Sequence, residues 1–204
     1  MLEPFTMTGR HVELVPLDAG HAKELLVAAT QDRTSYDFTE VPGTPEHMTD
    51  YLTRLLADRD AGRVVPFAQR RLADGRLVGC TRFMELRWWH GRDVPDEVEI
   101  GGTWLAADAQ RTPLNTEAKL LLLGHAFDVW NVTRVALCTD ARNERSRRAI
   151  ERSGAKFEGV LRHHRPSHRE GERDRPRDSA LFAVTDDDWP EVAAQLRARL
   201  PAES

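Results

Sequence analysis

Polar and apolar positions alternate around Val12, Glu13 and Leu14, and this period of two predicts a first strand over residues 11–17. Asp18 is placed to cap a following helix with an apolar stripe of Leu25, Leu26 and Ala29. Residues 30–43 read as an irregular loop carrying Asp32, Tyr36, Asp37, Phe38 and Glu40. Thr44 followed by Pro45 starts a second helix, because proline suits a first turn. Met48, Tyr51, Leu52, Leu55 and Leu56 share one face of it, and Gly62 ends it. The runs 64–72 and 77–86 flank Ala73-Asp74-Gly75-Arg76, whose Asp-Gly pair predicts an antiparallel hairpin. Residues 88–97 form an excursion rich in acids and opened by Trp88 and Trp89. A glycine-containing strand over 98–106 ends in Trp104-Leu105, and glycine there marks a bulge or a close backbone approach.

Apolar residues then surround a helix from Asn115 or Thr116 to Trp130, which predicts deep burial. A strand over 134–139 leads to a helix capped by Asn143 and stopped by Gly154. Strands over 156–161 and 179–184 enclose a polar loop, and Thr185 caps a terminal helix through Leu200. The order β-α-α-β-β-β-α-β-α-β-β-α predicts mixed α/β architecture (α+β) with a central sheet of about seven strands around one core.

Length and composition narrow the function classes. A chain of 204 residues with 40% hydrophobic and 30% charged residues can bury a sizeable core in one domain. Balancing 29 Lys+Arg against 33 Asp+Glu gives a net charge of −4, which argues against a surface built for nucleic acid. The longest apolar run in the buried helix, residues 120–123, falls far short of a bilayer, so no membrane association is expected. Residues 1–10 carry neither a basic leader nor an apolar signal region, and the expected home is cytoplasmic. Cys80 and Cys138 lie in apolar stretches, which speaks against a disulfide framework or zinc site.

Residues 98–143 carry the chemistry. A buried strand, a short loop, a buried helix, a second strand and a capped basic helix follow one another. A helix start offers free amide donors and the positive end of a dipole, which suits a phosphate. Arg111 can add a bidentate bond to a pyrophosphate. The helix after Asn143 carries Arg145, Arg147, Arg148 and Arg152, and it too suits an anion.

Glu99-Ile-Gly through Trp104-Leu105, Gln110-Arg-Thr-Pro-Leu-Asn-Thr-Glu-Ala-Lys119, Asn143-Glu-Arg-Ser146 and Gly154-Ala-Lys-Phe-Glu-Gly159 resemble the GNAT superfamily of N-acetyltransferases, in the RimJ/RimL branch. The resemblance spans residues 8–185, leaving 186–204 as a helix and tail on the same domain. It implies the GNAT fold and acetyl-CoA as co-substrate, with no metal. The pyrophosphate would lie on Arg111, Thr112, Leu114, Asn115 and Thr116. The pantetheine arm would pair with Trp104, Leu105 and Ala106, and Asn143 and Ser146 would face it from the next helix. Pro113 and Asn115 replace small residues of the general superfamily loop, and Pro113 removes one amide donor.

Acetyl transfer requires a neutral amine, so a group must take its proton. Glu99 is the candidate base through a water, with Glu97 and Glu85 as weaker candidates; its other reading is a strand carboxylate paired with an arginine. Many relatives use a tyrosine acid near the thiol, but Tyr36 and Tyr51 lie far upstream and leave that role empty. Ser146 would donate to the sulfur, or is an ordinary first-turn polar residue. Trp88 and Trp89 would wall the acceptor pocket, or pack a core edge or subunit contact. His90 reads as a solvated loop residue or a base. Asp37, with Asp32 and Glu40, would favour a cationic amine, or is solvated.

Residues 162–177 hold six Arg, three His and three acids, and read first as a mobile solvated hairpin. The arginine density opposes a metal at His163, His164 and His168. The expected function is an acetyl-CoA-dependent N-acetyltransferase acting on a protein N-terminus or a small-molecule amine such as an amino sugar, polyamine or antibiotic, as monomer or homodimer. A non-catalytic acyl-CoA binder and an RNA-associated protein using the arginine hairpin are the competing readings.

Overall fold

The computed structural model describes residues 2–172 and 174–202. Strands β1 (Met7–Thr8), β2 (Val12–Pro16), β3 (Val65–Arg71), β4 (Leu77–Arg87), β5 (Glu97–Leu105), β6 (Arg134–Asp140), β7 (Lys156–Pro166) and β8 (Pro176–Thr185) form one sheet in the order β1-β2-β3-β4-β5-β6-β8-β7. The helices are α1 (Ala22–Thr30), α2 (Pro45–Asp60), α3 (Pro113–Gly124), α4 (Glu144–Arg152) and α5 (Trp189–Ala198). Among the described residues no helix is long and apolar enough to cross a membrane.

The expected elements are present, with differences that have local causes. An eighth strand, β1, turns back onto β2 because the Glu117 carboxylate accepts the amides of Arg10, His11 and Val12 at 2.8, 2.7 and 2.9 Å. Asp18 caps a short 3₁₀ turn (Ala19–His21) that precedes α1. Helix α3 begins at Pro113, before Asn115, since Thr112 is extended and its hydroxyl accepts the Leu114 amide. It continues through a π-type turn (His125–Val129) rather than as a uniform helix to Trp130. Thr185 does not cap α5: it still pairs with Arg134 in the sheet, and α5 begins at Trp189. The polar loop expected after residue 161 is largely strand, because β7 and β8 pair out to Pro166 and Pro176.

Alternation along β4 assigns the two faces of the sheet. Thr81 reaches Thr103 at 2.8 Å, and Thr103 accepts from Lys119 of α3 at 3.0 Å. Phe83 packs against Trp130 on that same side. Cys80 and Arg82 point to the other face, toward Tyr51 of α2. Phe67, Phe83, Phe182, Leu122 and Leu137 are fully buried at the centre of the core.

One pair of strands departs from the antiparallel pattern. Strands β5 and β6 run parallel and pair only from Glu97 to Glu99 against Arg134 to Ala136. Beyond Glu99, β5 continues with β4 to Leu105, and β6 continues with β8 to Asp140. The sheet therefore splits into a wedge between the two strand ends.

Candidate active site

The wedge is bordered by the starts of two helices. Asn143 accepts the Ser146 amide at 3.0 Å, which fixes the first turn of α4 beside the end of β6. Its side-chain oxygen is thus engaged in the cap. The Ser146 hydroxyl is half-buried, with no hydrogen bond among the described residues.

At the start of α3, the free amides of a helix are those of the cap and the first three residues. Here these are Thr112 and Asn115, since Pro113 has none and the Leu114 amide already donates to the Thr112 hydroxyl at 3.4 Å. Thr116 occupies the fourth position, where the amide closes the first intrahelical bond, so its hydroxyl is what it can offer to a ligand. Arg111 is exposed and holds φ at 61°, a left-handed conformation that turns the loop into the helix.

The end of β5 is less open than its strand character suggested. The Leu105 carbonyl accepts from the Tyr36 hydroxyl and from Gln110 Nε2, each at 2.8 Å. The Ala106 amide donates to Val78 at 2.7 Å. Trp104 is buried, with its ring edge-on to Tyr36 at 6.3 Å. The tyrosine that the chain order set far away is thus beside the wedge. Burial, the dominant influence, raises the Tyr36 pKa. Arg145 of α4 also donates to the Ser35 carbonyl, so residues 31–44 bridge β5 and α4.

Glu99 sits at the fork, the last β5 residue paired to β6. It is buried, and both of its oxygens accept from Arg165 of β7, at 2.8 and 2.7 Å. Arg165 also reaches Glu85 at 3.3 Å. The arginine run is therefore not simply a solvated hairpin: Arg165 is built into the site and Arg177 is buried.

On the α2 side of the wedge lies a groove of about 1030 Å³. It is lined by the loop after α1, by α2, by β4 and by the β7–β8 connection. Asp37 and Trp88 line it; Trp89 does not. The Asp96 carboxylate accepts the Trp89 and His90 amides at 2.6 and 3.1 Å and contacts His90 Nδ1 at 2.9 Å, a turn that leaves Trp89 more than half exposed. Glu40 is not free for a cationic amine, because Arg54 holds both of its oxygens at 2.6 and 2.7 Å. Cys138 is half-buried, and burial raises its pKa, which keeps it a thiol. Among the described residues no three His, Cys, Asp or Glu side chains are grouped to hold a metal.

The motif residues thus converge on one wedge, while Tyr36, Arg165 and Arg82 join them from elsewhere in the chain. A bulge places one β4 residue, Thr81, opposite two β5 residues at Gly102 and Thr103, an irregularity that the glycine-containing strand had signalled. Nothing local to the sequence marked the other three.

A search among curated proteins finds no match. The family model described as "Acetyltransferase (GNAT) domain" matches residues 11–156. A T. thermophilus protein described as an acetyltransferase is 34% identical, with a TM-score of 0.82 and coverage of 98% of this chain and 100% of the other. A GCN5-related N-acetyltransferase from Brucella melitensis is 29% identical, with a TM-score of 0.82 and coverage of 97% and 86%. Mycobacterium smegmatis RimJ, solved in complex with CoA-disulfide, is 22% identical, with a TM-score of 0.78 and coverage of 96% and 94%; it shares the fold. A forked sheet flanked by helix starts, carried on a motif set spread over the matched span, has the same explanation as these likenesses: the chain belongs to the GNAT acetyltransferases, in the RimJ/RimL-like family.

Proposed function

We propose that this enzyme transfers an acetyl group from acetyl-CoA to a primary amine. The observation that carries the reading is the fork after Glu99, which opens a wedge between two helix starts and against a groove large enough for an acceptor. Acetyl-CoA supplies an activated thioester, a thiol leaving group and a diphosphate to be held.

The residues present fit that role. The amides of Thr112 and Asn115, the Leu114 amide once it exchanges its Thr112 cap, the Thr116 hydroxyl and the exposed Arg111 suit the diphosphate. Trp104, Leu105 and Ala106 border the wedge on one side, and Asn143 and Ser146 border it on the other. Because the Leu105 carbonyl is already engaged, a strand-like partner exchanges with Tyr36 or Gln110 there.

Glu99 would accept the amine's proton through a water, with Arg165 holding the carboxylate in place. The Ser146 hydroxyl, free of partners among the described residues, would donate to the departing sulfur. Asp37 and Trp88 would border the acceptor, and Trp89 lies outside the groove.

Calorimetry with CoA tests the donor site: binding in the micromolar range is expected, and Arg111→Ala should weaken it about tenfold, as expected for one charge-assisted contact. Release of free CoA with a panel of peptides and small amines then tests turnover. Absence of heat with CoA would end the reading.

A further inference from the structure

The acceptor groove contains a cation that nothing in the described chain neutralises. Arg82 of β4 lines the groove and makes no ion pair or hydrogen bond among the described residues. Its Nε is buried and unpartnered. A buried donor without an acceptor is costly, and the half-buried guanidinium that carries it faces the groove without a counter-ion among the described residues. The other groove arginines are engaged: Arg54 holds Glu40, Arg63 holds Asp58, Arg169 reaches Glu172 at 3.4 Å, and Arg33 donates to the carbonyls of Ala29, Val41 and Pro42.

A second cation reinforces it. Arg177 of β8 is nine-tenths buried, forms no ion pair among the described residues, and also has an unpartnered Nε. Both arginines act on His168 of the groove wall. Burial first, and then Arg177, Arg82 and Arg54 against the larger single pull of Glu40, hold that imidazole below its usual pKa. Of the acids that line the groove, Glu40, Asp58 and Glu85 are paired with arginines, and Asp37 and Glu170 stand on exposed parts of the lining.

The position of Arg82 narrows the ligand. Gly102 in the β5 bulge holds φ at 57°, and a Cβ there would lie 2.6 Å from the guanidinium carbon. The cation thus rests on the strand that carries Glu99, the base proposed to take the acceptor's proton. An anion held there belongs to a group near the reacting amine, and a planar carboxylate matches the guanidinium fork.

We propose that Arg82, supported by the charge of Arg177, is a specificity residue that binds a carboxylate carried next to the acceptor amine, so that the acceptor is a free amino acid or a close analogue. This rests on the acetyltransferase reading and chooses a small carboxylate-bearing amine over a protein N-terminus, which has no carboxylate beside its amine.

The test is calorimetric titration of the protein, with and without CoA, using N-acetyl derivatives of glycine, leucine, phenylalanine and glutamate and the matching C-terminal amides. At least one acid should bind about tenfold or more tightly than its amide, the effect of one charge-assisted pair. Arg82→Gln should abolish that preference and leave CoA affinity unchanged. Arg82→Lys, which keeps the charge without the fork, is the second variant and should reduce the preference several-fold. Equal binding of acids and amides, no binding by any of them, or a preference that survives both substitutions overturns the proposal. Failure of CoA to bind would instead remove the acetyltransferase reading, while the acid–amide comparison without CoA still reports on Arg82.

Discussion

The two halves of the proposed site are built differently. The donor half comes from one continuous stretch: β5, the loop to α3, β6 and the start of α4. Its parts are helix caps and strand ends, set by residues a few positions apart. The acceptor half is assembled from four separated segments and depends on side chains that meet across the fold. The first can be read along the chain, and the second only in space. Substitutions in the donor half should therefore act through local order and CoA affinity. Those in the acceptor half should act through turnover and selectivity.

The largest expected effect tests whether the donor half is as local as it looks. Glu117 belongs to the motif box, yet its carboxylate faces away from the wedge, onto three amides of the β1–β2 turn. Glu117→Ala should cost about 3 kcal/mol, since the buried Val12 amide loses its acceptor at about 1–3 kcal/mol and the part-buried Arg10 and His11 amides lose charge-assisted bonds. Urea unfolding would measure it; a loss below about 1 kcal/mol would show that the anchor is dispensable.

Lys119 gives an effect of nearly that size with a defined pH signature. Burial alone brings its pKa down to about 8, from 10.5 for an exposed lysine. Between those values the unfolded chain binds the extra proton, so stability should rise with pH from about 8 to 10.5. The rise is at most about 3 kcal/mol, at about 1.4 kcal/mol per pH unit. Lys119→Met should flatten that part of the curve, and an unchanged slope would assign it to other groups.

Glu99 lies on the seam between the halves. Glu99→Gln should lower kcat about 100-fold if the carboxylate takes the amine's proton. If the residue serves only its pair with Arg165, stability falls and kcat of the folded fraction does not. Measuring both in the same preparation separates the two roles. The smallest effect is local again: Asn143→Ala should cost about 1 kcal/mol of stability through the lost cap. Because Asn143 also borders the wedge, its CoA affinity should fall as well, and calorimetry would show an unchanged affinity if the residue is a cap alone.

Legibility follows the same division. Thr44-Pro45 and Asn143 marked true helix starts, and Asp74-Gly75 marked a true hairpin, because each signal is a hydrogen bond or backbone angle satisfied within a few residues. Thr185 misled: a residue able to cap a helix remained in the sheet opposite Arg134. Glu99 illustrates the limit at the site. Its strand and its place before the wedge were readable, and so was an arginine partner as a type, but not the identity of Arg165.

The sequence by itself determined the order of elements, the buried helix α3 and the loop that leads into it, since periodicity, caps and turns act over one or two turns of chain. Tertiary structure decided that Tyr36 reaches Leu105 across 69 positions and Arg165 reaches Glu99 across 66. It also decided that Trp89 turns outward and that Arg82 Nε is buried without a hydrogen-bond partner among the described residues. These outcomes depend on the register of a bulged sheet and the path of a loop across its fork, which are settled by packing of the whole core and leave no short-range pattern to read.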